Sequence, residues 1–228
     1  MMVLALESAG GSAGVALAGD EGVVAEATVH TSRRHVELLH PLVAEVLLLA
    51  GASVADLDAV AADVGPGLFT GIRVGVSAAK AIAMARALPA VGVTSLQAIE
   101  AAARDAGAGG VVVPVVDLRR GEVAWSLSGE VAFGPAARLA AALGATGEAG
   151  VLVGGGALRY ADELGRGGWE VAGPSLSSAP VASVAVLAHA AVSKGATLDP
   201  ARLVPCYLRE ADARINWTTR HDGSRKGG

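Results

Sequence analysis

The stretch from Asp63 to Ala87, DVGPGLFTGIRVGVSAAKAIAMARA, restricts the fold more than any other part of the chain. The apolar run DAVAADV enters it as a strand, Gly65, Pro66 and Gly67 make a turn, and a long helix follows, for which Thr70 is the expected N-cap. Within that helix Gly71, Gly75, Ala79, Ala83 and Ala87 recur every fourth residue and line one face with small side chains. An internal helix glycine costs about 1 kcal/mol relative to alanine. Two of them imply that another backbone must come close, and the reading favoured is the backbone of another helix.

A chain of 228 residues with 52% hydrophobic and 18% charged residues can bury a large core and fits one or two domains. Aromatic residues make up only 3%, so Val, Ala and Leu must build the core, and stacking on nucleic-acid bases is disfavoured. The net charge of −4 leaves no broad basic face, whereas a protein that holds nucleic acid alone usually carries one. If the chain takes part in RNA chemistry, a partner is expected to hold most of the RNA. Cys206 is the only cysteine, which rules out a disulfide or a thiolate metal site within one chain. The start, MMVLALES, lacks a basic segment ahead of an apolar one and does not read as a signal peptide. The apolar part of Val171 to Ser193 is too short to span a bilayer, so the expected location is the cytoplasm, with no membrane partner.

Taken in order, residues 2–7, 13–18 and 23–29 read as strands, then a helix runs from about Arg33 to Ala50. A strand at 58–64, the Gly71–Leu88 helix, a short strand at 91–93 and a helix capped by Thr94 or Ser95 follow. The same order returns after AGAGG. Strands are expected at 111–117, 121–127 and near 130–133, then a helix in PAARLAAAL, a strand at 151–153, a helix from Ala157, a strand at 169–172 and a helix over 180–194. Two consecutive β-β-β-α-β-α-β-α units are the pattern of the two-lobed actin-like (ASKHA, ribonuclease H-like) α/β fold, with a ligand cleft between lobes. The expected division is an N-terminal lobe over 1–107, a C-terminal lobe with its return segment over 108–212, and a mobile tail over 213–228.

Several local patterns carry possible chemistry, and none reads as catalytic. His35, Glu37 and His40 lie close together in HVELLH, but residues five apart on a helix are turned by about 140°, and zinc pairs use a spacing of four. No metal site is expected. The glycines of GPGLFTG have neither dinucleotide spacing nor the Lys-Ser or Lys-Thr of a P-loop, and Pro66 removes a backbone donor. Ser77-Ala-Ala-Lys80 matches S-x-x-K without the companion elements of that enzyme class. Glu7 and Ser8 stand at the end of the first strand, and Gly154, Gly155 and Gly156 form a second-lobe loop where a nucleotide can approach the backbone. These five are the candidate cofactor-binding residues, alongside the plainer reading of a strand-to-helix loop. On the two N-terminal helices, Leu39, Val43, Val46 and Leu47, with Gly71, Arg73, Gly75, Ala79, Lys80 and Ala83, are the candidate partner-binding residues, since a helix apolar nearly all round is usually covered on both sides.

The run DVGPGLFTGIRVGVSAAKAIA resembles the GPGSFTGLRIG signature of the TsaB (YeaZ-type) family of the bacterial tRNA threonylcarbamoyladenosine synthase. LALES, SRRHVELLHPLVAEVL, VVDLRRGEVAW and PCYLR resemble further family segments in chain order. The resemblance implies a non-catalytic scaffold or activating subunit. It would pair, through its first two helices, with the catalytic paralogue TsaD, and work with the ATPase TsaE. It also implies that tRNA is reached only through the complex, that no cofactor is intrinsic, and that an ATP or ADP site at the interface stays open, as does a homodimer of the isolated chain. A small-molecule kinase or a metallopeptidase of the same superfamily is the alternative.

Overall fold

The computed structural model describes residues 1–31 and 34–208, and the tail expected over 213–228 lies outside them. The first half contributes β1 (Val3–Glu7), β2 (Ser12–Gly19), β3 (Gly22–His30), α1 (His35–Leu49), β4 (Ala59–Asp63), α2 (Phe69–Arg86), β5 (Ala90–Val93) and α3 (Ser95–Asp105). The second contributes β6 (Val111–Arg119), β7 (Glu122–Leu127), β8 (Glu130–Pro135), α4 (Ala136–Thr146), β9 (Gly150–Val153), α5 (Gly155–Arg159), α6 (Ala161–Leu164), β10 (Trp169–Val171) and α7 (Val181–Ser193). The strands form two five-stranded sheets of order β3-β2-β1-β4-β5 and β10-β9-β6-β7-β8. Read from opposite edges the two orders are the same. In each half the first three strands are antiparallel neighbours and the last two add in parallel. This is the duplicated, two-lobed actin-like α/β architecture expected from the element order.

Strand alternation decides which layer each side chain enters. On β1, Leu4 and Leu6 join the core under α1 and α2, whereas Val3 and Ala5 face the other way. That second face is rich in alanine, with Ala5, Ala16, Ala18, Ala59 and Ala61, and α7 brings Ala185 and Ala188 against it. Small residues on both surfaces let α7 lie close to the sheet. Val112 and Val153 of the second sheet share this core with Ala98, Ile99 and Ala103 of α3. Thus α3 and α7 form a layer between the two sheets, and α7, placed by its sequence position in the 108–212 unit, packs on the first sheet. The outer face of the second sheet is closed by α4, α5 and α6, whose Leu139, Ala157 and Leu164 pack with Trp125, Leu152 and Trp169 of the strands. No helix among the described residues is long and apolar enough to cross a membrane.

The helix ends are secured by different means. Of the two expected caps of α3, Thr94 is the one used: it accepts from the Gln97 N–H, and the Gln97 side chain accepts from the Thr94 N–H, a capping box. Thr70, in contrast, is not the N-cap of α2. The helix starts after Leu68 with no side-chain cap, and the Leu68 N–H donates to the Ala9 carbonyl at 2.7 Å, so backbone pairing with the turn after β1 secures its start.

The small-residue stripe of α2 points inward. Gly71, Gly75, Ala79 and Ala83 are buried against the first sheet, with the turn that follows β1 beneath the two glycines. A methyl group on Gly71 would collide with the Ser8 carbonyl oxygen, and one on Gly75 would lie 2.6 Å from the Ser8 hydroxyl. The Ser8 hydroxyl in turn donates to the Gly71 carbonyl at 2.8 Å. The backbone that must come close is therefore that of residues 8–9 of the same chain, and the expectation that a partner helix lies on this stripe is corrected. Gly71→Ala is expected to cost about 1–3 kcal/mol despite the better helix propensity of alanine. Ser8→Ala should relieve the same substitution at Gly75, where the obstacle is a hydroxyl, but not at Gly71, where it is a backbone carbonyl. Thermal unfolding of the single and double variants measures both effects.

Candidate functional site

The parallel pairing of β1 with β4, with Leu6 opposite Ala62, brings Glu7 and Asp63 to the same end of the first sheet. Both carboxyls are almost fully buried, and both line a cleft of about 470 Å³ between the two halves. The opposite wall carries Asp117, Arg119, Gly155, Arg159, Ser177 and Ser178. The halves approach each other closely here: a methyl on Gly10 would lie 2.8 Å from the Ser178 β-carbon, and the Ser12 and Ser178 hydroxyls are 3.4 Å apart.

Each buried carboxyl has its own set of donors. The Gly10 N–H and the Ser12 hydroxyl donate to Glu7 at 3.0 and 2.8 Å. The Gly65 N–H donates to Asp63 at 2.7 Å, and the Ser95 hydroxyl reaches both Asp63 oxygens at 2.8 Å. Burial, and then the charge of Asp63, push the Glu7 carboxyl up to about 8, so it holds its proton at neutral pH. Burial also raises Asp63, to about 6, against the opposing effect of its Gly65 and Ser95 donors. Across the cleft, Asp117 accepts from the Arg119 N–H at 2.8 Å and pairs with the guanidinium groups of Arg119 and Arg159, each at 3.3 Å.

The candidate cofactor-binding residues separate on folding. Glu7 and Gly155 line the cleft, whereas Ser8 is turned beneath α2. Gly154 adopts φ +112°, and a methyl there would strike the Val115 carbonyl, while one on Gly156 would lie 2.8 Å from the Val115 side chain. The close packing of α5 on β6 therefore accounts for these two glycines. Asp63, Ser95 and Ser12 were not singled out as site residues. The available signal was that two apolar strands, VLALE and AVAAD, both end in an acid, which in adjacent parallel strands brings the acids together.

On the far side of the first sheet, Leu39, Val43, Val46 and Leu47 of α1 are buried in the core together with the α2 stripe. His35 is buried and His40 exposed, so these two side chains diverge as their spacing requires. What the two helices leave open is a groove of about 440 Å³ lined by Val36, Leu39, His40, Thr70, Arg73, Val74, Ser77, Ala78 and Ala81. Beside it runs the return segment 199–208. The Lys80 ammonium donates to the Ala201 carbonyl at 2.8 Å, and the Cys206 N–H donates to the Val64 carbonyl at 2.7 Å. Of the candidate partner-binding residues, Arg73 stays exposed and Lys80 is tied to this segment.

The family described as TsaD: tRNA N6-adenosine threonylcarbamoyltransferase matches residues 18–149. The Escherichia coli tRNA threonylcarbamoyladenosine biosynthesis protein TsaB is 34% identical over 126 residues, which are 55% of this chain and 54% of that protein. A crystal structure of YeaZ from Pseudomonas aeruginosa superimposes with a TM-score of 0.80 at 26% identity, covering 91% of this chain and 99% of that one. The chain belongs to this family, as a TsaB/YeaZ-type member. An uncharacterised Mycobacterium tuberculosis protein shares 36% identity over 216 residues, 93% of each chain, so the likeness of this TsaB/YeaZ-type chain extends through its second half.

A raised carboxyl makes stability fall with pH. Unfolded Glu7 loses its proton near 4.5 and folded Glu7 near 8, so the contribution is complete below the first value and is lost as pH rises through the second. Asp63 acts in the same sense between 3.8 and about 6. Unfolding free energy is expected to decline between pH 6 and 8 with a contribution from Glu7 of at most about 1.4 kcal/mol per pH unit. Glu7→Gln should flatten the decline, and denaturant titrations at stepped pH will measure it.

Proposed function

We propose that this chain is a non-catalytic subunit in the synthesis of threonylcarbamoyladenosine on tRNA. In this reading it binds the threonylcarbamoyltransferase TsaD through the outward surface of α1 and α2, works with the ATPase TsaE, and meets tRNA only through the complex. Similarity to a protein named for tRNA threonylcarbamoyladenosine biosynthesis supports the pathway.

The observation that carries the non-catalytic role is the state of the cleft carboxyls. Glu7 and Asp63 occupy the end of the first sheet where an acid or base would act, yet Ser12, Ser95 and two backbone N–H groups already engage them. With these donors in place, little of either carboxyl is left to engage a substrate in the cleft. Meanwhile the apolar groove between α1 and α2 is open on the opposite side of the sheet. No resident cofactor is assigned to the chain, and a nucleotide taken up by the complex is assigned to the subunit interface.

Reconstitution tests this reading. TsaD and TsaE should modify tRNA efficiently only when this chain is added, and modification that proceeds equally without it overturns the role. Ala81→Glu, which fills the groove with a long side chain at an exposed position, should weaken binding to TsaD about tenfold or more without lowering the unfolding temperature. Calorimetric titration of the two subunits measures the loss.

A further inference from the structure

The chain has only two phenylalanines and two tyrosines, and one of each meets on its surface. Phe69, at the start of α2, and Tyr207, in the return segment, have ring centroids 5.4 Å apart and remain 47% and 44% exposed. Between them lies Arg73. Its guanidinium carbon sits 3.7 Å from the Phe69 ring centroid, and its Nε donates to the Tyr207 hydroxyl at 2.7 Å. Stacking on one ring and tethering to the other remove most of the freedom of a long side chain without neutralising it.

Three features make this cluster more than a surface contact. First, no carboxylate among the described residues pairs with Arg73, whereas Arg34, Arg104, Arg119 and Arg159 each hold one. Second, because Nε is already used, the two terminal NH₂ groups are left as an end-on fork, the arrangement that receives both oxygens of one carboxylate. Third, Arg73 also lines the largely apolar groove between α1 and α2. Exposed aromatic rings packed around an arginine are the side chains that dominate binding energy where proteins meet.

We propose that Arg73, held by Phe69 and Tyr207, is the anchoring cation of this surface. It receives an aspartate or glutamate carboxylate from a helix of the threonylcarbamoyltransferase subunit lying in the groove. This inference rests on the partner reading given above and adds the chemistry of the contact. Charge complementarity selects that occupant over a second copy of this chain. The lining of the groove includes Arg73 and no acid, so a second copy of the same groove offers no carboxylate to the guanidinium. The small side chains of Ala78, Ala81 and Ser77 along its floor leave room for a helix backbone.

The test is the affinity of the full chain for the threonylcarbamoyltransferase of the same organism, measured by calorimetry at low and high salt. Arg73→Gln is expected to weaken binding about tenfold or more and to reduce its salt dependence. Arg73→Lys keeps the charge but not the fork and should fall between. Tyr207→Phe keeps the ring but frees the guanidinium, and should cost about two- to fivefold. All three substitutions are on the surface and should leave the unfolding temperature unchanged. Wild-type affinity in Arg73→Gln overturns the proposal and leaves the partner reading intact, whereas a wild-type chain that does not bind overturns both. An effect confined to self-association in sedimentation overturns it in favour of a second copy.

Discussion

The first turns of α2 lie directly on the turn after β1, with glycine in place of side chains at Gly67, Gly71 and Gly75, and much of the molecule follows from that approach. Ser8 hydrogen-bonds the helix backbone, Leu68 hydrogen-bonds Ala9, and β1 is thereby held at a set height beneath α2. Glu7, one residue earlier, is turned to the opposite side and enters the cleft beside Asp63. A larger residue at Gly71 would push the helix off the sheet and disturb the surface above and the carboxyl pair below together. The cost of internal helix glycines is offset by the continuity of this contact.

The two faces of the first sheet have consequently become different surfaces. On the cleft side, two acids are almost fully buried with serine hydroxyls and backbone N–H groups directed at them, so their proton affinity rises and their hydrogen-bonding capacity is largely met from within. Such a pair gives stability a dependence on pH. On the other side, α1 buries Leu39, Leu42, Val43, Val46 and Leu47 and α2 buries Ile72 and Val76, while Ser77, Ala78 and Ala81 line the groove between the two helices. The return segment then crosses beside α2, ties down Lys80 and brings Tyr207 to Arg73. A surface with a fixed cation, exposed rings and a shallow apolar channel suits contact with another protein better than turnover of a small molecule.

Element types and their order were largely legible in the sequence, because strands that alternate between two apolar layers and helices with turn residues at their ends leave regular patterns. Even the weak third strand of the second half lies where the repeat requires it, at Glu130–Pro135. The cap of α3 was readable to within one residue, Thr94 or Ser95, because a capping hydroxyl bonds backbone groups only two or three residues on. The start of α2 was not, because the interaction that secures it comes from Ala9, far away in the chain. The inward direction of the glycine stripe was hidden for the same reason. Spacing shows that a backbone approaches a helix face, but not whose backbone it is.

By itself the sequence determined the duplicated strand and helix order, the small-residue face of α2, the scarcity of aromatic rings and the family resemblance carried by DVGPGLFTGIRVGVSAAK. Only the tertiary structure decided that this face receives Ser8 and not a partner, that α7 packs on the first sheet, that Glu7 and Asp63 become one buried pair, and that Phe69, Arg73 and Tyr207 meet. The division has a physical basis. Periodicity and capping are properties of neighbouring residues, whereas burial, proton affinity and clustering arise only when segments distant in the chain exclude water from one another.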